Sequence, residues 1–171
     1  MNIFYLDTNP HLAAQFHCDK HCNKMILESA QLLSTAHREL ESPFATEVYK
    51  STHKNHPSSL WARQSRENYY WLWDLFYHLN TEFRYRRQKN HGSFIKLSRI
   101  LVNAPKALEY TGFTQPPQCM PDEYKVEGDS VQAYRNYYLG DKADIATWNW
   151  GRPAPYWWEN QTGMVIAEGQ Q

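Results

Sequence analysis

The stretch richest in potentially catalytic or metal-binding residues is HCDKHCNK, residues 17–24, which holds two histidines, two cysteines, an aspartate and two lysines. Residues three or four apart share one face of a helix. In a helix over residues 10–40, four polar residues share such a stripe: His17, His21, Lys24 and Glu28. Adjacent imidazole, ammonium and carboxylate groups tune one another's protonation, as general acid–base catalysis requires. The sequence therefore predicts a catalytic face, and the alternative is a solvated face with an ordinary lysine–glutamate pair.

The two cysteines of this stretch point in another direction. Cys18 and Cys22 share the phase of an apolar stripe that is rotated by about 100° from the histidines. A tetrahedral zinc centre needs four ligands that converge on one point, and one helix cannot bring these cysteines and histidines together. We therefore predict buried thiols, no metal and no cofactor. Zinc on the histidine pair stays open as an alternative, with a third ligand from His53, His56 or Glu82.

A second polar cluster lies in THKNHPSSLWAR, residues 52–63, directly before a predicted helix start. Polar groups at a helix N-terminus can hold an anion such as phosphate. Five residues of this stretch are substrate-binding candidates: His53, Asn55, His56, Trp61 and Arg63. The alternative is a capped loop whose histidines have no ligand.

The basic end of the following helix, EFRYRRQKNHGS at residues 82–93, is the third cluster. Arg86, Lys89 and His91 are candidates for binding phosphate, and Tyr69 on the same helix is a candidate for stacking on a base. Glu82 lies one turn before Arg86 and can pair with it. The alternative is a solvated helix end whose cations offset the helix dipole.

Length and composition limit these hypotheses. A chain of 171 residues fits one domain, residues 1–171, whose core needs no disulfide. Three cysteines are not a secreted disulfide framework, and no segment has the length and apolar character of a signal peptide or membrane span. We expect a cytoplasmic protein with no membrane partner. Lys+Arg and Asp+Glu both number 18, so any nucleic-acid surface must be a local patch.

Capping and helix-breaking residues predict an all-α, compact single-domain fold. Asn9 and Pro10 signal the start of a long helix that ends near residue 40. Pro57 signals a second helix, long or broken, that ends before Gly92. No alternating segment is long enough for a sheet.

The second half of the chain is predicted to be less regular. Ser93 is the predicted cap of a third helix through about residue 103, Asp129 caps a short helix ended by Gly140, and KADIATW adds a helical turn or two. TGFTQPPQCMPDEY reads as an ordered loop because its glycine and prolines forbid regular structure. The irregular Pro/Trp-rich end, NWGRPAPYWW, is predicted to pin the tail to the body.

Several longer motifs carry a resemblance: CDKHCNKMILESAQLLSTAH, THKNHPSSLWAR, NYYWL, MPDEY and AYRNYY, which together span most of the chain. On these motifs the chain resembles a family of small phage-encoded proteins. More distantly, its order of elements is similar to that of the all-α pyrimidine-dimer DNA glycosylase (endonuclease V) family. The similarity lies in a first helix beginning like LAAQ, a long aromatic and basic helix, and a tail like RPAPYWW.

The glycosylase resemblance implies a reaction in which the amine of the N-terminal residue, after methionine removal, attacks a sugar. A glutamate in an Arg-Glu pair on the first helix assists. Here Met1 precedes the bulky Asn2, which disfavours methionine removal, and Cys22 and Asn23 stand where the Arg-Glu pair falls. No glutamate fits that place in the sequence. We therefore expect a different nucleotide reaction on such a scaffold.

Two functions remain for the whole chain. The first is an enzyme acting on a nucleobase, nucleotide or modified DNA base, by N-glycosidic cleavage or base modification, with Glu28 assisted by His17 and His21. The second is a non-catalytic nucleotide-binding module or an inhibitor of host defence. In the first reading the expected partner is a nucleotide or DNA; the oligomeric state is left open.

Overall fold

The computed structural model describes residues 1–158, which form helices, turns and loops without a strand. Six α-helices occur in that range: α1 (Pro10–Phe16), α2 (Asp19–Glu39), α3 (Pro57–Ala62), α4 (Arg66–Arg87), α5 (Gly92–Leu101) and α6 (Ser130–Leu139). Two single 3-10 turns lie at Ala45–Glu47 and Asp122–Tyr124. The all-α prediction is confirmed. None of the helices described is both long and apolar enough to span a bilayer.

The centre of the fold is the packing of α4 against α1 and α2. The apolar face that periodicity predicts for α4 is buried at five of its six positions: Tyr69, Leu72, Phe76, Leu79 and Phe83. Trp73, the sixth, is half-buried. Cys18 and Cys22 are both buried, which confirms the phase predicted for the thiols.

The first predicted helix is in fact two helices. Asn9 caps α1 and Pro10 occupies its first position, as predicted. The helix ends at Phe16, however, and His17 and Cys18 have extended backbone before α2 begins. The prediction of one helix over residues 10–40 is therefore wrong at this point. The carbonyls of the last turn of α1 are taken by the guanidinium of Arg86, so they do not continue the helical ladder.

The second predicted helix is also broken, and here the sequence left both outcomes open. α3 ends at Ala62, and the hydroxyl of Ser65 caps α4 by accepting from the Asn68 N–H at 3.1 Å. α5 is capped by His91, whose Nδ1 accepts from the Ser93 N–H at 3.1 Å. The prediction that Ser93 is the cap is wrong by two residues, because an unprotonated imidazole nitrogen serves as the acceptor.

The short apolar run at residues 3–6 is an extended, buried segment that anchors the N-terminal region in the core. α6 covers it: Arg135 donates to the Leu6 carbonyl at 2.9 Å and pairs with Asp7 at 3.1 Å. The bounds of α6 agree with the prediction, since Asp129 caps it and Gly140 follows its last residue.

The tail closes onto the break between α1 and α2. The Asp19 N–H donates to the Thr147 carbonyl at 2.9 Å, Trp148 donates to the Phe16 carbonyl at 3.2 Å, and Trp157 is buried. The predicted pinning of the tail by tryptophans is confirmed. TGFTQPPQCMPDEY is irregular, as predicted, apart from one 3-10 turn. KADIATW forms turns rather than a helix.

Candidate functional site

His17 and His21 lie inside the protein rather than on a catalytic face. The His17 side chain is completely buried, with Nδ1 2.6 Å from the Ala13 carbonyl. His21 is 3% exposed, and its Nδ1 lies 2.7 Å from the Tyr138 hydroxyl. The Phe4 ring stacks on the His21 ring at 4.3 Å and meets His17 edge-on. The buried N-terminal segment therefore covers both histidines.

Burial sets the protonation of this pair. It lowers the pKa of His17 to about 4 and that of His21 to about 3. The positive charges of His17 and of nearby lysines lower the pKa of His21 further. Both rings are therefore neutral at pH 7. Nε2 of His17 is buried without a hydrogen-bond partner among the residues described.

The two lowered pKa values predict that the protein loses stability in mild acid. An unfolded histidine titrates near pH 6.5, so between pH 6.5 and pH 4 the unfolded chain binds more protons than the folded one. The stabilisation is complete above pH 6.5 and falls as the pH falls. Urea titrations at pH 7.5 and 5.5 should differ by at least about 2 kcal/mol in the free energy of unfolding, roughly 1 kcal/mol for each histidine.

A His21→Gln variant should lose roughly 1 kcal/mol of this pH dependence, whereas His53→Gln, at an exposed position, should retain it. Equal pH dependence in the His21 variant and the wild type would contradict the assignment to this buried pair.

The other two residues of the predicted stripe, Lys24 and Glu28, have different environments. Lys24 is exposed. The Glu28 carboxylate turns towards the amino group of Met1, with Oε1 3.9 Å from the nitrogen. The Met1 side chain is 4% exposed and that of Glu28 is 16% exposed, so the pair lies near the surface without being freely solvated. The structure therefore does not bring the four predicted catalytic residues into one pocket.

The loop THKNHP is held against α2, the helix that carries Glu28. Its first residue, Thr52, is held to α2 because its N–H donates to Thr35 Oγ1 at 3.2 Å. Burial, and after it the positive charges of the N-terminal amine and of His53, lower the pKa of His56. We group the two loop histidines with Glu28 and the Met1 amine because the charge of that amine acts on His56. We call these four groups the amine site.

Sequence reasoning missed the Met1 amine as the partner of Glu28. A main-chain amine has no letter in the sequence. The available signal was the resemblance to the glycosylase family, which implies an N-terminal amine assisted by a glutamate.

Three predicted substrate-binding residues form hydrogen bonds within the protein: Trp61, Arg63 and Tyr69. Trp61 is 4% exposed and donates to the Thr114 carbonyl at 2.9 Å. Tyr69 is completely buried. Tyr69 therefore has no free face for a base, whereas Trp61 lines an open cavity of about 650 Å³ together with Arg63. Arg63 donates to Ser59 Oγ and to the Lys54 carbonyl and so braces the loop, whereas Asn55 is exposed.

Arg86 lies in an internal ionic network, not on a phosphate-binding surface. Its side chain is 1% exposed and pairs with Glu82 at 3.0 Å and Asp19 at 3.1 Å. It also donates to two carbonyls at the end of α1, at 2.8 and 3.0 Å. Arg152 from the tail pairs with the same Glu82 at 2.8 Å. The predicted Glu82–Arg86 pair is thus present, but it removes Arg86 from the predicted patch.

Lys89 and His91 remain near the surface. They line a small polar cavity of about 280 Å³, together with Asn23 and Arg87. Nδ1 of His91 is occupied by its capping hydrogen bond, and burial lowers the pKa of the ring. These two residues lie together as predicted, at the junction of α4 and α5.

The comparisons with known proteins provide no functional assignment for the chain. No protein-family model, curated protein or solved structure matches the chain. In residues 1–158, no three histidine, cysteine, aspartate or glutamate side chains are grouped so as to hold a metal ion.

Proposed function

We propose that this protein is an enzyme that cleaves the N-glycosidic bond of a nucleotide or a modified DNA base, with the Met1 amine as nucleophile. The observation that carries the proposal is the 3.9 Å pair between the Met1 amine and the Glu28 carboxylate. An amine can form a covalent intermediate with a sugar carbon, and an adjacent carboxylate can transfer the proton. The glycosylase family that the chain resembles also combines an N-terminal amine with a glutamate, but Glu28 lies at another position on the helix than the family's Arg-Glu pair, where this chain has Cys22 and Asn23.

The reaction follows from the two groups. Glu28 takes a proton from the Met1 ammonium, and the amine nitrogen bonds to C1′ of the sugar as the C1′–N bond to the base breaks. The base leaves with the bonding electron pair and takes up a proton. The bonded nitrogen then releases a proton, the C1′–O4′ bond breaks as O4′ takes up a proton, and loss of the last proton from nitrogen gives an imine with C1′. Water hydrolyses the imine and restores the amine.

The rest of the amine site suits a nucleotide or DNA partner. His56 has a lowered pKa and is therefore neutral at pH 7, so its ring can form hydrogen bonds with a base or sugar. His53 and Asn55 are exposed beside it. The proposal includes a cytoplasmic location, which the three unpaired cysteines favour.

Imine trapping tests the proposal. Sodium borohydride reduces an imine to a stable amine, so protein incubated with borohydride and an oligonucleotide containing an abasic site should give a covalent complex. Peptide mass spectrometry should locate the adduct at residue 1, and intact mass identifies that residue. Adding one glycine before Met1 displaces the amine and should reduce trapping by about 100-fold.

The outcomes separate the alternatives. An adduct on a lysine side chain, or equal trapping by the extended protein, would contradict the assigned nucleophile. Reversible binding of the oligonucleotide with no trapped complex would favour the non-catalytic binding module.

A further inference from the structure

A second site lies at the other end of α2. A cavity of about 390 Å³ opens between the end of α2, the start of α4 and the loop after α5. Its lining includes Ser42, Phe44, Arg66, Tyr70, Asn103 and Lys106, with His37 at its inner wall. His37 lies nine residues after Glu28 on the same helix, which is about 13 Å along the axis. No residue of the amine site lines this cavity.

A chain of hydrogen bonds runs from this cavity into the core. Nδ1 of His37 lies 2.7 Å from Ser42 Oγ, and Nε2 lies 3.0 Å from the Tyr69 hydroxyl. The Tyr69 hydroxyl donates its single proton to the Leu101 carbonyl at 2.6 Å. It must therefore accept from Nε2–H of His37. Nδ1 is then the unprotonated nitrogen of a neutral ring, and the Ser42 hydroxyl donates to it.

This is the arrangement of a serine nucleophile with its base and an orienting group. His37 is buried, and burial lowers its pKa, against the opposing effect of the Asn103 backbone carbonyl. The ring is thus neutral at pH 7 and able to accept the serine proton. Ser42 itself is only half-buried and lines the cavity, so a substrate can reach its oxygen.

The charged groups around the cavity are cations. Arg66 is held in place by donating to the carbonyls of Leu108 at 2.9 Å and Pro105 at 3.2 Å. Lys106 is exposed on the cavity lining, and no carboxylate contributes to the described lining. The Tyr70 hydroxyl accepts from the Ala104 N–H at 3.4 Å and keeps its own proton for a ligand. Such a site attracts an anion and offers a donor to a developing oxyanion.

We propose that Ser42 is a nucleophile activated by His37 and that this cavity hydrolyses small carboxylic esters that carry a negative charge. Ser42 Oγ bonds to the acyl carbon as its proton passes to Nδ1 of His37. The ester C–O bond then breaks, and the leaving alcohol takes that proton. Water, deprotonated by the same nitrogen, releases the acid and restores Ser42. This activity is separate from the proposed glycosidic reaction and does not depend on it.

A fluorophosphonate probe tests the nucleophile directly. Attack by Ser42 forms an O–P bond, breaks the P–F bond and releases HF, so one adduct per chain should appear at Ser42 in peptide mass spectra. Ser42→Ala and His37→Gln should each slow labelling by about 1000-fold. Ser51→Ala is the matched control, because Ser51 is exposed and its hydroxyl bonds to Glu39 instead of a histidine. An unlabelled, folded wild-type protein would overturn the proposal.

Tyr69 is a positioning residue in this scheme. Tyr69→Phe removes the acceptor that fixes the tautomer of His37, so labelling should slow by about tenfold with the same adduct position. If core variants fail to fold, the wild-type pH profile decides. The groups that face His37 are Ser42, Tyr69 from α4, the Phe44 ring and the Asn103 carbonyl, and the cations Arg66 and Lys106 line the same cavity. The labelling rate should fall in acid with a midpoint below pH 6.5, and a midpoint above that value would contradict the assigned base.

The substrate class has its own test. The protein should hydrolyse the mono-4-nitrophenyl ester of glutaric acid, an anion, at least about tenfold faster than neutral 4-nitrophenyl acetate, which corresponds to about 1.4 kcal/mol of attraction to a nearby cation. Lys106→Ala should reduce that ratio, and added salt should reduce it as well. A preference for the neutral ester would overturn the charge assignment.

Discussion

Replacement of Arg86 by methionine is expected to lower the free energy of unfolding by about 3–5 kcal/mol, as loss of one member of a buried ion pair does. Arg86 is 1% exposed at its side chain and bonds to Glu82, Asp19 and two main-chain carbonyls. Methionine fills similar space without a donor. The carbonyls at the break between α1 and α2 would lose their partner, and Glu82 would keep only Arg152. Leaving buried acceptors unsatisfied is the main cost.

Thermal unfolding followed by circular dichroism measures the effect. For a chain of this length, 3–5 kcal/mol corresponds to a fall in Tm of roughly 6–20 °C. Arg84→Met is the matched control, since Arg84 lies on the same helix and is exposed, and it should change stability by less than about 0.5 kcal/mol. Similar Tm values for the two variants would show that the network contributes little.

Replacement of Glu28 by glutamine is expected to lower the rate of the proposed glycosidic reaction by about 100- to 10,000-fold, which is the range for loss of a general base. Glutamine keeps the size of the side chain and removes the charge that accepts a proton from the Met1 amine. The fold should be spared, because a single ion pair near the surface, here with 3.9 Å between the Met1 nitrogen and Glu28 Oε1, contributes at most about 1 kcal/mol.

The measurement is single-turnover cleavage of oligonucleotides carrying modified bases, with circular dichroism to check the fold. Glu47→Gln serves as the control, because Glu47 is an exposed glutamate outside the amine site. Unchanged cleavage by the Glu28 variant would assign the proton transfer to another group, with His56 of the amine site as the next candidate.

The outline of the fold was predictable because its signals are local. Asn9 and Asp129 are side-chain caps that act within three residues, and the buried thiols follow directly from helical phase. The break at His17 was not predictable in this way. It depends on Arg86, which lies 69 residues further along the chain and takes the His17 carbonyl.

The same distinction explains the site. Arg86 looked like part of a basic surface because its neighbours in sequence are cations, yet its partner Asp19 comes from another helix. His37 and Ser42 were not singled out. Five residues separate them, but their contact depends on the turn that ends α2 and on Tyr69 from α4. The pairing of Glu28 with the Met1 amine could not be read from helical phase, because it depends on the path of the buried N-terminal segment.

The closure of the tail onto the α1–α2 break can occur only late in translation. The Asn149 N–H donates to Asp19 at 2.7 Å, and these partners are 130 residues apart. At translation rates of about 5–20 residues per second, Asp19 waits roughly 7–26 s for Asn149 to be made. For most of that interval, until α6 is made, Phe4 and the two histidines that it contacts lack the cover of that helix. A chain truncated before α6 would therefore expose apolar surface, and we expect such a fragment to aggregate or to bind chaperones.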